Sequence, residues 1–237
     1  NGRINAPWRR MSAEGSSPAP ESPGGSAESQ GGRGGPMLSL LARGLELWLR
    51  QQCQAIEELE IHLEGSAARL LGGRLEGVQL TARRVVFQSL EIEAVELRSA
   101  PMQVRMGALL RSQTLQLEQP FQISGRVRFS AEGLNRTLAT AAWRQLGDGL
   151  AEELLGLAPL GGLRFDGDRL ILSAMGPAGK APIELGTRVE AGDGTVLLRT
   201  EPDGRIARLP MDPKVRIEQV DLGGGRLELT GQALVSA

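Results

Sequence analysis

Phe121-Gln122-Ile123-Ser124-Gly125-Arg126-Val127-Arg128-Phe129 is the stretch from which the fold is read. Apolar and polar residues alternate through it without a break. Only an extended chain puts every second side chain on one side, so this is a half-buried strand with Phe121, Ile123, Val127 and Phe129 on its dry face. Working outward, the same alternation recurs on both sides. Leu59, Ile61 and Leu63 alternate with Glu60, His62 and Glu64, and Val78, Leu80 and Ala82 with Gln79, Thr81 and Arg83. Leu90, Ile92, Val95 and Leu97 form a further run with a one-residue slip near Ala94, the mark of a bulge. Met102, Val104 and Met106 follow Pro101 as another short strand.

Beyond Phe129 the period changes. Ser130 is a good helix cap, and Leu134, Leu138, Ala141, Ala142, Leu146, Leu150 and Leu154 keep helical spacing to about Leu155, with Gly147 and Gly149 as the expected break. Strands then return. Leu163 and Phe165 join Leu170 and Leu172 through Asp166-Gly167-Asp168, and Ile183, Leu185 and Val189 meet Val196 and Leu198 through Asp193-Gly194. Ile217, Val220 and Leu222 lead through three glycines into Leu227, Leu229, Gly231, Ala233 and Val235. Upstream of all the strands, Leu38, Leu41, Leu45, Trp48, Gln52, Ile56 and Leu59 fall at three- and four-residue steps, which predicts an amphipathic helix over Met37–Leu59. The pattern describes an α+β fold, most simply a strongly curved antiparallel sheet wrapped against helices.

Composition bounds the chemistry. The 237-residue chain is 41% hydrophobic and 23% charged with a net charge of −1, ordinary for a globular protein. Residues 37–237 carry 23 basic and 25 acidic groups, and aromatics are only 3% with no Tyr. Neither a basic surface for phosphates nor a stacking platform for bases is present, so nucleic acid is not an expected partner. The single Cys53 permits no internal disulfide, and His62 stands alone between Glu60 and Glu64, so no His/Cys metal set can be assembled and no metal or cofactor is expected. No Gly-x-Ser-x-Gly elbow accompanies His62. Gly176-Pro177-Ala178-Gly179-Lys180 lacks the spacing of a phosphate loop, and Asn135-Arg136-Thr137 is a glycosylation acceptor placed in a predicted helix. Nothing here nominates an enzyme. What remains is a set of apolar strand faces, and such faces usually make an ordinary core, so alternation alone leaves a filled interior and a ligand groove both open.

A resemblance bears on that choice. Gly73-Arg74-Leu75-Glu76-Gly77-Val78-Gln79-Leu80-Thr81-Ala82, the following Val85-Val86-Phe87-Gln88-Ser89-Leu90-Glu91-Ile92, then Ser130-Ala131-Glu132-Gly133-Leu134-Asn135 and the close at Gly225-Arg226-Leu227-Glu228-Leu229-Thr230-Gly231 resemble the LmeA-like family of bacterial phospholipid-binding proteins, especially its versions from photosynthetic bacteria. The resemblance implies a tubular lipid-binding, BPI-like half-barrel, a curved sheet around a long helix with an apolar groove for acyl chains. It implies binding or transfer of phospholipid or another fatty-acyl ligand rather than catalysis, with peripheral membrane contact. On that reading the lipid would meet Leu41, Leu45 and Trp48 of the first helix, and Phe121, Ile123, Val127, Phe129, Leu170, Leu172, Leu227 and Leu229 of the strands. Small inward residues such as Gly125, Gly231 and Ala233 would leave room for it. The competing reading is a structural or assembly protein whose apolar faces pack against a protein partner.

Residues 12–36 are nearly all Ser, Gly, Pro, Ala and Glu and cannot bury enough apolar surface to offset ordering, so residues 1–36 are expected to be a disordered tail and residues 37–237 the domain. The pattern shows no secretory signal, which suggests a location in the cytoplasm or on the inner face of a membrane. Envelope members of the family carry an export signal or anchor, so a start upstream of Asn1 would suggest the periplasm or cell envelope instead. Residues 37–237 expressed alone should melt within a degree or two of the full chain; a loss of many degrees in calorimetry would show that the tail packs on the domain.

Overall fold

The computed structural model describes residues 36–235, apart from 67, 70, 71, 104–118, 177–180 and 202. The first part of the chain contains α1 (Pro36–Gln52), β1 (Ala55–Glu64), β2 (Arg74–Leu75), β3 (Gly77–Phe87), β4 (Leu90–Ser99), β5 (Met102–Gln103) and β6 (Phe121–Ser130). Two helices follow, α2 (Ala131–Ala139) and α3 (Arg144–Leu155). The remainder is β7 (Leu160–Asp166), β8 (Arg169–Ala174), β9 (Ile183–Gly192), β10 (Thr195–Thr200), β11 (Ile206–Arg208), β12 (Val215–Gly223) and β13 (Arg226–Val235). Every paired strand is antiparallel, in an open six-stranded sheet of order β1-β3-β4-β6-β13-β12, a five-stranded sheet of order β11-β10-β9-β8-β7, and the small β2-β5 pair. The α+β class and the strands expected from alternation are present, β5 being the described start of the strand expected after Pro101, with β2 and β11 added. Val104 and Met106 lie outside the described residues.

Tight turns set the ladders. Gln88 and Ser89 (φ 49° and 63°) close β3 onto β4, Asp193 and Gly194 (51° and 78°) close β9 onto β10, and Gly224 and Gly225 (57° and 74°) close β12 onto β13. Positive φ at both central residues gives the turn whose twist matches that of its strands.

The first helix is shorter than its sequence period suggests. It stops at Gln52, and the Gln54 N–H already donates to the Val86 carbonyl at 2.8 Å, so Ile56 and Leu59 belong to β1. Their three-residue spacing has another cause. The β1–β3 ladder runs from Ile56↔Val85 to Glu58↔Arg83 without pairing Glu57 and Arg84, and the β3–β4 ladder likewise passes over Arg84 and Glu93. Arg84 takes a left-handed φ of 48°. Two adjacent residues therefore face outward in β1 and β3, and the inward residues on either side come three apart: Ile56 and Leu59, Ala82 and Val85. The slip expected near Ala94 is the β4 part of this shared irregularity.

The second helical region also differs. It breaks at Thr140–Trp143 and not at the glycines. Thr140 caps α2, its N–H and its hydroxyl both donating to the Thr137 carbonyl (3.0 and 2.7 Å), and Trp143 Nε1 donates to the Gln88 carbonyl at 2.9 Å. Gly147 is instead buried inside α3, where an added Cβ would lie 3.2 Å from Leu160 and 3.5 Å from Leu138. Ser130 does cap α2, its Oγ accepting from the Gly133 N–H at 3.1 Å. Asn135, the would-be glycosylation acceptor, is occupied: its amide donates to the Leu163 carbonyl at 2.7 Å and accepts from the Leu163 N–H at 2.8 Å.

Across the six-stranded sheet, register carries two apolar rows from edge to edge. One is Leu59, Ala82, Val95, Val127, Leu229, Val220; the next is Ile61, Leu80, Leu97, Gly125, Gly231, Ile217. In the second row a Cβ on Gly125 would overlap the Glu96 carbonyl oxygen and lie 2.9 Å from Leu97 Cα, and one on Gly231 would overlap the Arg216 carbonyl. These two glycines face each other in the β6–β13 ladder, and the β12–β13 register shifts between Ile217 and Gln219, beside them. Glycines at close backbone approach, next to a bulge, are how a sheet is creased. Gly125→Ala should accordingly destabilise by about 1–3 kcal/mol, whereas Gly149→Ala, whose Cβ meets nothing within 4 Å in α3, should stabilise by about 0.5–1 kcal/mol; paired denaturant titrations compare the two, and equal effects would remove the crease.

Candidate functional site

Three cores cover parts of the apolar surface. The first joins α2, α3 and the five-stranded sheet, around Leu150, Leu154, Leu163, Leu170, Leu172 and Leu198. The second places Leu38 and Leu41 of α1 on Leu75 and Met102, with Leu63, Val78 and Phe121 of the large sheet around them. The third gathers Ala82, Val85 and Val95 with neighbours from β1, β3, β4 and β6, and Cys53 besides; burial raises the Cys53 thiol pKa. Beyond them lies the region of β6, β13 and β12. There Ile123, Leu229, Ala233, Val235, Val220 and Val215 are half-buried, and among the described residues they join none of the three cores. All belong to the face that carries the two rows, and Gly125 and Gly231 lower its floor between Ile123/Ala233 and Val127/Leu229. This is a half-buried aliphatic trough, bordered by Ile217 of the same face, which is buried where its N–H donates to the Gly194 carbonyl at 2.8 Å.

The opposite face of the sheet is wholly different. Arg98 holds Glu64 at 2.8 and 3.0 Å, Arg126 holds Glu96 at 2.8 Å, Arg128 bridges Glu96 and Glu228, and Arg226 reaches Glu93 at 2.7 Å. The Arg126 hydrogen bond, helped by the charges of Arg126 and Arg128, holds the Glu96 carboxyl below the usual range; Gln79 and then Arg98 do the same for Glu64. Exposed pairs of this kind add little stability, but they keep that face wet and leave the trough as the only dry side.

The residues singled out from the sequence divide accordingly. Phe121, Ile123, Val127, Phe129, Leu227 and Leu229 do share one face of the large sheet, with Phe129 and Leu227 nearly buried at one end and Phe121 against α1 at the other. Leu170 and Leu172 do not join them. They sit on β8 at 6% and 1% exposure inside the core beneath α2 and α3, because alternation fixes a strand's faces without saying which sheet receives them. Leu41 is likewise core at 3% exposure, Leu45 is half-buried, and Trp48 is 41% exposed beside Leu47 at 57%. The helix therefore packs through its first turns and offers apolar surface to solvent further along. Ala233 is legible as a small inward residue, and Val220 and Val235, read in the same alternating runs but not among the expected lipid contacts, share its face.

At the α1 end of the sheet lies a cleft of about 590 Å³, which periodicity could not reveal because β2 and β5 are two residues each. Leu75 and Met102 form its apolar part, Pro101 and Pro120 also line it, and Arg69, Arg74, Glu76, Gln103 and Gln119 supply the polar part. Arg69 is ion-paired to Glu76.

Nothing among the described residues suggests metal or acid–base chemistry: no three His, Cys, Asp or Glu side chains are grouped to hold an ion, and His62 is exposed on β1. No helix there is long and apolar enough to cross a membrane. The sequence model of the LmeA-like phospholipid-binding family matches residues 34–232, from the start of α1 into β13. No curated protein and no solved structure matches the chain.

If the trough is unfilled, truncating a side chain in it should cost little. Leu229→Ala is expected to destabilise by about 1 kcal/mol or less, and Leu172→Ala, in the filled core, by about 2–5 kcal/mol; equal losses in chemical denaturation would mean that Leu229 is core.

Proposed function

The chain belongs to the LmeA-like phospholipid-binding family, and on that premise we propose that it binds phospholipid non-enzymatically, laying the acyl chains along the trough of β6, β13 and β12. The observation that carries this reading is the set of aliphatic side chains there, half-buried and packed in no core. Each methylene moved from water onto such a surface contributes about 0.8 kcal/mol, so two acyl chains would supply contacts that the protein's own side chains do not. The close approach at Gly125 and Gly231 supports a sheet that curves around its ligand in the manner of a tubular lipid-binding half-barrel, with the first turns of α1 packed on one end of its apolar face.

Leu47 and Trp48 supply the second element, peripheral contact with a membrane. An indole with one wet side suits the interface between headgroups and acyl chains. With that contact the protein would load and deliver lipid at a membrane surface, as a transfer protein does. The net charge near zero argues against simple electrostatic adsorption, leaving apolar contact as the anchor.

Fluorescent phospholipid provides the test. The wild type should bind it saturably and withdraw it from vesicles. Ala233→Trp, which fills the trough, should abolish binding while circular dichroism and melting stay near wild type. Leu47→Asp with Trp48→Asp should keep binding of lipid in detergent but slow withdrawal from vesicles several-fold. No binding by the wild type across phospholipid classes would exclude the function and leave an assembly protein whose trough receives a protein partner.

A further inference from the structure

We propose that the cleft formed by β2, β5 and Pro120 receives the phosphate of the lipid headgroup, with Arg74 as its cationic partner. This deepens the lipid-binding reading and rests on it.

Position comes first. Leu75 and Met102 are paired across the β2–β5 ladder and are buried against Leu38, Leu41 and Phe121, the residues that end the apolar face. The same ladder pairs Arg74 with Gln103, one residue along, and alternation turns these two away from that core. Within one β-pair the surface thus passes from aliphatic to cationic. Pro120 lines the cleft and Phe121, its neighbour, opens β6, so the cleft adjoins the start of the strand that floors the trough. A phospholipid has the same order of chemistry along its length: methylenes, a glycerol, then an anionic phosphate.

Charge selects the residue. Arg69 and Glu76 are engaged with each other. Arg74 is exposed and has no ion pair among the described residues, so the cleft carries one uncommitted positive charge, with the side-chain amides of Gln103 and Gln119 beside it as neutral donors. A guanidinium offers a planar pair of N–H groups matched to two phosphate oxygens. Size points the same way: about 590 Å³ is more than one carboxylate needs and falls in the range of small-molecule sites.

The test compares two fluorescent lipids with identical acyl chains, phosphatidylglycerol and diacylglycerol, on the full chain. The wild type should bind phosphatidylglycerol roughly tenfold more tightly, the scale of one charge-assisted contact. Arg74→Gln should erase that difference and leave diacylglycerol binding unchanged, which also controls for folding, while Arg74→Lys should restore part of it. A phosphatidylglycerol preference that survives Arg74→Gln, or an equal loss for both lipids, would overturn the assignment while leaving lipid binding intact. Glycerophosphate or inorganic phosphate binding as tightly as phosphatidylglycerol would overturn it in favour of a soluble phosphate ligand. A wild type that binds neither lipid would overturn this assignment and the lipid-binding reading together.

Discussion

The close approach of backbones at Gly125 and Gly231 constrains everything built on the large sheet. β6 and β13 lie so near their outer neighbours that the Glu96 and Arg216 carbonyls occupy the space of a Cβ at either glycine. Any other residue would force β4 or β12 to shift. With glycine at both positions, the row that runs from Ile61 to Ile217 has no side chains at these two strands. The same two residues thus bring backbones close and hollow the surface. A flat sheet with this alternation would need a second layer over the whole apolar face.

That layer is supplied in pieces. α1 covers the end near Leu63, Val78 and Phe121, and α2 with α3 covers the five-stranded sheet, where the best-buried side chains, Leu154 and Leu172, are found. Aromatic bulk is scarce in the chain. It has four Phe, three Trp and no Tyr, so the bulk that usually fills a broad sheet face is missing. Aliphatic side chains alone leave β6, β13 and β12 half-covered, and the Arg–Glu lattice on the back of the sheet leaves no doubt which side is dry.

Most of the strands were legible because period two is a local property: Phe121–Phe129 and Leu227–Val235 show it without reference to the rest of the chain. What was not legible depended on other strands. Ile56 and Leu59 read as helix because their spacing is helical, and that spacing arises from an irregularity at Glu57, Arg84 and Glu93 that exists only once β1, β3 and β4 are paired. The helix break at Thr140 depends on contacts with Glu91 and Gln88, and the glycines that looked like breakers serve packing or nothing. At the site, alternation showed that Leu170, Leu172 and Leu229 were inward-facing, but not that they face different interiors. The cleft residues come from two two-residue strands and the loops around them, which alternation does not bring together.

The division between the filled core and the half-buried trough also distributes stability. Asn135 ties α2 to Leu163 of β7, the Thr137 hydroxyl accepts the Glu91 N–H at 2.9 Å, and Trp143 bonds Gln88, so the helices clamp the five-stranded sheet to the β3–β4 hairpin. These are part-buried, two-ended links made at the β3–β4 hairpin end of the large sheet, opposite the end on which the first turns of α1 pack. The trough lies beside that clamp, and its outer strand β12 meets the five-stranded sheet through Leu222 and through the Ile217 N–H, which donates to the Gly194 carbonyl at 2.8 Å. On the proposed reading, a surface that accepts acyl chains and releases them is best built where the native state has little packing to lose, and here the strongest packing sits in the other sheet. The fold therefore keeps its densest packing and its half-buried aliphatic strands apart, with Gly125 and Gly231 between the apolar rows.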